Sequence, residues 1–466
     1  MLSHSRSMKV TSINPRTGEK LWEFRPTSAR RLDEALAKAK KGQEAWWGRT
    51  SRETRVEVLR EMERVFAKAK DEVVDLAYLE LGVPKRSIAA SYDSAMRGFQ
   101  HYIRRYEAFQ DRPFPLDPAL WLNTEASIRY EPLGVIGHIG VWNFPFWQTM
   151  ITTVPALLTG NAVLFKPSEL TTATGLRIAG LVHESGVPED VYVPIIGGVE
   201  EGRRLVGSGV DAIVFTGSIG AGMSIARRAG TRPLILELSG NDPGIVCADA
   251  DLEQAARGVA TGTFSRAGQV CIRVKRVYVH RSIAEGFIDR LVKIAAGLDV
   301  REQVGPMIRA EARDRVHGLV QDAVSKGAKL LTGGNKAFGP GYFYEPTVLL
   351  IKDDSLEVIA KETFGPVCSV RVVEDEEEAL RLANDSPYGL GATIWTKDSG
   401  KASILASRLQ AGNIWVNEWG RSLTGGEYFQ GCKCSGIASS QERLGLFLRK
   451  KSVILHRTPE PRPSWF

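Results

Sequence analysis

The sequence predicts an α/β protein built from two doubly wound parallel-sheet domains and a small β element, and three observations carry that prediction. Between residues 133 and 240, short β-branched runs alternate with helical stretches, and a second series of the same kind runs from about residue 244 to residue 420. Residues 113 to 131, "PFPLDPALWLNTEASIRYE", interrupt the first domain with alternating strand-like residues and prolines. Apolar runs joined by helices are buried on both faces, which makes the sheets parallel and their connections right-handed βαβ units.

Taken in order, residues 30 to 110 read as helices: "ARRLDEALAKAKKGQEAWW" and "SRETRVEVLREMERVFAKAKDEVVDLAYLELG" space apolar residues by three and four, and a glycine ends the second. The interruption at 113 to 131 reads as a protruding hairpin. The strands of the first series are "GVIGHIGV", "NAVLFKP", "VYVPII", "DAIVFTGS" and "LILELSG"; those of the second are "GIVCADA", "VKRVYVH", "AKLLTGG", "CSVRVVE" and "ATIWTK". Near the carboxyl end "SVILHR" is one more strand, able with the hairpin to complete a sheet in a neighbouring subunit. The chain therefore divides into a first domain (1–112 and 132–236), a second (237–436) and a β element (113–131 and 437–466). Two α/β domains in one chain leave a cleft between them, where small-molecule sites form.

Composition bounds the function. The chain has 466 residues, 43% of them hydrophobic and 25% charged, which is ordinary globular usage. The net charge of +7 would suit an anionic partner, but lysines and arginines are scattered among acids, which argues against nucleic acid. Five cysteines, at 247, 271, 368, 432 and 434, are few and odd in number, the usage of a reducing compartment. "MLSHSRSMKV" lacks the apolar core of a signal peptide, and no apolar run approaches the ~20 residues that span a bilayer. A cytoplasmic protein without a membrane partner is expected.

Five stretches carry candidate chemistry. Cys271 sits in "GQVC" with Arg266, Arg273 and Lys275 close in sequence, so cations are at hand to raise its thiolate fraction; a buried packing cysteine is the alternative. Glu237 lies where "LILELSG" leaves an apolar strand, placing it as a general base for water or, more plainly, as a cap or surface acid. Asn143, in "VWNFPFW", offers an amide to a developing oxyanion among aromatics that keep the site dry, or is simply a turn residue before Pro145. "VFTGSIGAG" follows a strand and opens a helix, where Gly217, Ser218 and Gly222 let a diphosphate approach backbone amides. "LFKPSE" ends a neighbouring strand and brings Lys166 and Glu169 to the edge where an adenosine ribose would lie.

Together "VWNFPF", "LFKPSE", "FTGSIGAG", "LELSG", "GQVC", "KETFGPV" and "NIWVN" stand in the order and approximate spacing of the aldehyde dehydrogenase superfamily, which the chain resembles from about residue 12 to residue 455. The resemblance implies a Rossmann-like NAD(P)-binding domain, a catalytic domain and an oligomerisation element formed by hairpin and tail. It implies oxidation of an aldehyde to the carboxylic acid: Cys271 forms a thiohemiacetal, Asn143 and the Cys271 N–H hold the oxyanion, hydride passes to nicotinamide, and Glu237 activates the water that hydrolyses the thioester. Lys166, Ser168 and Glu169 would serve the adenosine ribose, Gly217 and Ser218 the diphosphate, Trp142 and Leu238 the cofactor cleft, and Glu362 with Phe364 the nicotinamide ribose. A carboxylate at 169 accepts from a 2′-hydroxyl and repels a 2′-phosphate, favouring NAD, while small Ser168 leaves room for NADP.

By the same resemblance Phe146, Trp147, Met150, Val270 and Ile272 form an apolar aldehyde tunnel, with Arg421 a partner for a substrate carboxylate. Medium aliphatic or aromatic aldehydes come first and a semialdehyde second. A CoA-acylating dehydrogenase has little use for Glu237 as a base, and a silent scaffold little use for the whole set. A homodimer or homotetramer is implied, and no metal: "CKC" at 432–434 has no second pair at zinc-like spacing. Three departures stand out. "YFQGCKCSG" replaces the usual P-F-G-G-x-K-x-S-G, Ser440 stands where an auxiliary acid is common with Glu442 the nearest acid, and arginines occupy 266 and 273.

Overall fold

A computed structural model describes residues 9–117, 123–420, 430–437 and 443–457. The described residues form a six-stranded and a seven-stranded sheet, both mainly parallel, a small three-stranded antiparallel sheet, and a two-stranded antiparallel one from Val10–Ile13 and Lys20–Phe24. Their helices lie between and around them, which is the expected α/β class.

The amino-terminal helices form because each has a start signal and a buried stripe. Ser28 and Ser51 accept from the backbone N–H groups of Arg31 and Thr54, capping Ala29–Gly48 and Arg52–Lys68. The second helical run breaks at Ala69 and resumes as Lys70–Leu81, stopped by Gly82 at φ 68°. With Lys85–Glu107 these helices bury Leu32, Trp46, Leu59, Phe66, Tyr92 and Phe99 in the core of the first sheet.

The first sheet runs Gly436–Ile437, Leu234–Leu238, Ala212–Gly217, Val135–Ile139, Ala162–Lys166, Tyr192–Pro194. All neighbours are parallel except the short strand Gly436–Ile437, which returns late in the chain to pair antiparallel with Glu237 and Leu236. The second sheet runs Lys329–Thr332, Thr347–Ile351, Val367–Val373, Val274–His280, Asp242–Val246, Gly391–Trp395, Asn413–Val416. "AKLLTGG" differs from its reading as a member of the parallel series. Lys329–Thr332 is an antiparallel edge strand, because no helix separates it from Thr347–Ile351 and a loop can only fold the chain back.

Arg112–Phe114, Thr124–Pro132 and Leu448–His456 make the third sheet, with the carboxyl-terminal strand paired along Thr124–Pro132 from Leu448↔Pro132 to His456↔Thr124. Its apolar Phe114, Ile454 and Leu455 are exposed. Among the described residues no helix is long and apolar enough to cross a membrane. The two large sheets are joined at Ser239, Gly240 and Asn241, a three-residue link between Leu234–Leu238 and Asp242–Val246. Whatever stands at that link faces both domains.

Candidate active site

In the first sheet Val135–Ile139 and Ala212–Gly217 are neighbours, but the strands that follow each in the chain run to opposite sides. Such a switch point opens a crevice at the carboxyl ends of the two strands, the standard place for a nucleotide. Trp142 and Asn143 leave one of those ends, Gly217 and Ser218 the other. Ser218 caps the helix Ile219–Ala229, its hydroxyl accepting from the Ala221 N–H at 3.3 Å, and both Ser218 and Gly220 are exposed. A Cβ on Gly222 would lie 2.4 Å from Leu238 Cδ2, so the helix packs on the Leu238 side chain with no room for a larger residue unless that side chain shifts. Lys166 is buried, its Nζ donating to the carbonyls of Pro167 at 2.9 Å and Gly197 at 2.7 Å. Burial pulls its pKa down, opposed mainly by the Glu169 carboxylate 3.8 Å away. Ser168 accepts from the Leu170 N–H. An open helix amino terminus, a glycine-dependent close approach and a ribose-side carboxylate suit a dinucleotide.

Cys271 lies on the loop that ends the helix Leu252–Phe264 and enters the strand Val274–His280. The loop is tightly wound: Arg266, Ala267 and Gly268 take φ of 55°, 54° and 67°. A Cβ on Gly268 would lie 2.2 Å from the carbonyl oxygen of Gly365, which is why glycine is required where the loop stacks on "TFGP". Gln269 anchors it, donating to Pro306 O at 3.0 Å and accepting from the Ile308 N–H at 2.8 Å.

Asn143 and Glu237 meet this loop from the other domain. Asn143, 5% exposed, donates from Nδ2 to Gln269 O at 2.9 Å, two residues before Cys271. Arg266 donates to the Asn143 carbonyl and to Ser87 Oγ while lying 4.3 Å over the Phe144 ring. Glu237, also 5% exposed, accepts at Oε2 from Gln148 Nε2 at 2.8 Å. The link that follows it passes so close that a Cβ on Gly240 would lie 2.7 Å from Cys271 O. Lys275 Nζ donates to Gly240 O, to Cys271 O at 2.8 Å and to Glu362 Oε1 at 3.0 Å. Thus Glu237, Asn143, Glu362 and Cys271 are brought to one place.

The electrostatics there differ from the sequence expectation. Burial pushes the half-buried Cys271 thiol up to about 12; Lys275 works against that, while Asp242, Glu237 and Glu362 add to it. The neighbouring arginines are spent elsewhere, Arg273 on Val367 O and Thr363 Oγ1 and Arg266 as described. Sequence proximity misled because the folded loop turns both guanidinium groups to acceptors on other segments, the Asn143 carbonyl for Arg266 and Val367 O with Thr363 Oγ1 for Arg273.

Trp142 and Phe364 meet edge to face with ring centres 5.7 Å apart, bridging the domains beside Glu362. Phe364 holds φ 46°, a left-handed conformation costly for a bulky residue. Of the tunnel candidates, Val270 is buried and Ile272 half-buried, its carbonyl accepting from Trp419 Nε1 at 2.7 Å. Trp147 is the half-buried residue of the otherwise buried helix Pro145–Leu158. Phe146 departs from its reading. It is 4% exposed and stacks on Tyr92 at 3.8 Å in the first core, with Met150 buried one helical turn on. The stripe that carries Trp147 and Gln148 toward the cleft turns 146 and 150 inward. Arg421, Ser440 and Glu442 lie outside the described residues.

Gln148, Gln269 and the bridging role of Lys275 were not read from the sequence. All three depend on contacts between segments far apart in the chain. All five cysteines are free. Cys432 Sγ donates to Gly389 O and Gln410 O, and Cys434 is exposed. A grouping of Cys247, Asp249 and Glu376 has metal-like spacing, but Lys401 Nζ already bonds both carboxylates at 3.0 Å.

Known proteins resemble the chain in sequence and in fold. The model of the aldehyde dehydrogenase family matches residues 2–453. The chain is 35% identical, over 93% of its length and 95% of the relative's, to the succinate semialdehyde dehydrogenase [NAD(P)+] Sad of Escherichia coli. In structure it is similar to betaine aldehyde dehydrogenase from Staphylococcus aureus in complex with NAD+, at TM-score 0.93 and 30% identity, covering 99% of this chain and 94% of that one. It is also similar to an aldehyde dehydrogenase from Bacillus cereus, at TM-score 0.92 and 28% identity, covering 96% and 93%.

Proposed function

The chain belongs to the aldehyde dehydrogenase family, an NAD(P)-dependent oxidoreductase acting on an aldehyde, and on that premise we propose the residues that carry the reaction. Cys271 Sγ, as thiolate, attacks the aldehyde carbonyl and forms the C–S bond of a thiohemiacetal. The second amide hydrogen of Asn143 and the Cys271 N–H hold the oxyanion, with Asn143 fixed by its bond to Gln269. Bound NAD(P) supplies the acceptor for the hydride that leaves the thiohemiacetal carbon. Glu237, steadied by Gln148, takes a proton from the water that attacks the resulting thioester, releasing the carboxylic acid and the thiolate. Lys166, Ser168, Glu169, Gly217, Ser218, Trp142, Leu238, Glu362 and Phe364 would hold the cofactor. Glu169 favours NAD, which a comparison of kcat/KM with NAD and NADP tests.

One observation carries this reading: the Cys271 loop is met on one side by Asn143 and on the other by the link that follows Glu237. Mixing enzyme, NAD and aldehyde and following NADH fluorescence tests it. Cys271→Ala binds NAD and yields no NADH, whereas Glu237→Gln gives a single burst of NADH and slow turnover. Wild-type turnover by Cys271→Ala removes Cys271 from the mechanism.

The apolar side chains of Trp147, Val270 and Ile272 support a medium aliphatic or aromatic aldehyde. A semialdehyde is the second reading, supported by the likeness to succinate semialdehyde dehydrogenase. Ranking kcat/KM for hexanal, benzaldehyde and succinic semialdehyde chooses between them. Exposed Phe114, Ile454 and Leu455 on the three-stranded sheet support a homodimer or homotetramer, which light scattering measures. Five free thiols support a cytoplasmic location.

A further inference from the structure

Lys275 is 2% exposed in its side chain, and a lysine taken so far from water needs all three of its N–H bonds answered. Three acceptors answer them: Gly240 O, Cys271 O at 2.8 Å and Glu362 Oε1 at 3.0 Å. They belong to three separate segments, namely the link after Glu237, the nucleophile loop and the "KETFGPV" turn. The arrangement is a tripod whose apex is the ammonium, and each foot is an element the proposed reaction uses.

The charges around Cys271 make the tripod more than a brace. Its thiol faces three carboxylates: Glu237 from the first sheet, Asp242 from the second and Glu362 from the turn. Arg273, the other cation of this layer, is directed to Val367 O and Thr363 Oγ1, and its charge is felt by Glu362 and Asp242. Lys275 is the cation that favours the Cys271 thiolate. A thiolate forming among three carboxylates needs such a charge, and the structure holds it through the cysteine's own carbonyl.

We propose that Lys275 is a positioning residue of this enzyme: it ties the Cys271 loop to the Glu237 link and to Glu362, and supplies the positive charge against which the Cys271 thiolate forms. The proposal rests on Cys271 being the nucleophile. It also accounts for a lysine two residues into a buried strand of a parallel sheet, a position that packing alone would fill with an aliphatic residue.

The test needs neither cofactor nor turnover. The protein is alkylated with iodoacetamide at pH 9, and modification of the Cys271 peptide is followed by mass spectrometry, which separates it from exposed Cys434. Lys275→Met, close in shape and uncharged, slows Cys271 alkylation about tenfold, the effect of raising a thiol by one pH unit below its midpoint. Lys275→Arg, which keeps the charge, recovers most of that rate. Glu362→Gln removes an opposing carboxylate and speeds alkylation several-fold. Unchanged alkylation in a Lys275→Met protein with native circular dichroism overturns the proposal. If that variant does not fold, an unchanged rate in Glu362→Gln overturns it and an accelerated one supports it. Failure of the nucleophile reading is seen separately, as turnover by Cys271→Ala.

Discussion

Replacing Asp242 by asparagine should stabilise the protein by an amount that grows with pH. Asp242 opens the first strand of the second sheet, is 2% exposed, and neither of its carboxylate oxygens makes a hydrogen bond of normal geometry. Those oxygens press against two glycines: a Cβ on Gly240 would lie 2.6 Å from Oδ1, and one on Gly391 2.4 Å from Oδ2. Burial pushes the carboxyl from 3.8 up to about 7, with Lys275 the main charge pulling it back. Because the folded value lies above the unfolded one, folding favours the protonated acid. That contribution is full below about pH 4, is lost as pH rises toward 7, and changes no further above it. A shift of this size corresponds to ~4 kcal/mol at most, since one unit is about 1.4 kcal/mol. Asp242→Asn keeps the shape and cannot ionise. Urea unfolding of both proteins from pH 4.5 to 8.5 should show the variant gaining on the wild type between pH 5 and 7 and holding a constant margin from about pH 8. Any fixed difference from the new amide cancels, because the readout is the change with pH. A difference flat across the whole range refutes the argument. The same variant removes a carboxylate that opposes the Cys271 thiolate, so alkylation of Cys271 at pH 9 should quicken as stability rises.

Two further outcomes follow from the site. Asn143→Ala should lower kcat about 100-fold, the effect of losing one oxyanion donor, while loss of its bond to Gln269 lowers stability by only about 1 kcal/mol; kinetics within twofold of wild type would release Asn143 from that role. Gly222→Val places methyls where Leu238 Cδ2 already lies 2.4 Å from the ideal Cβ, so the Leu238 side chain or the helix must shift. It should lower stability by about 1–3 kcal/mol, read by urea unfolding, and weaken NAD binding, read by quenching of protein fluorescence; binding as in the wild type would move the diphosphate away from this helix.

The legible part of the molecule was the part written locally. Alternating apolar runs and helices specified two parallel sheets, because a strand buried on both faces leaves no polar alternation and a helix must carry the chain back. Where that local signal was ambiguous the reading slipped: "AKLLTGG" has the composition of a parallel strand, and only the missing helix after it makes it antiparallel. Phe146 sits in a motif shared with Asn143, yet a helix has faces, and one residue of rotation put its ring on Tyr92 instead of in a tunnel.

The chemistry divides along the same line. Cys271, Glu237 and Asn143 were singled out in the sequence as candidates because nucleophile, base and amide are side-chain types, though each stood open on its own neighbours and took its role only from the family resemblance. How acidic the cysteine is, and what holds the three together, was decided by the fold. Arg266 and Arg273, close in sequence, turn to other partners, while one ammonium joins carbonyls and a carboxylate from positions 240, 271 and 362. Residue types determine which reactions are available. Burial and distance, which set the strength of every charge, exist only once distant segments have packed.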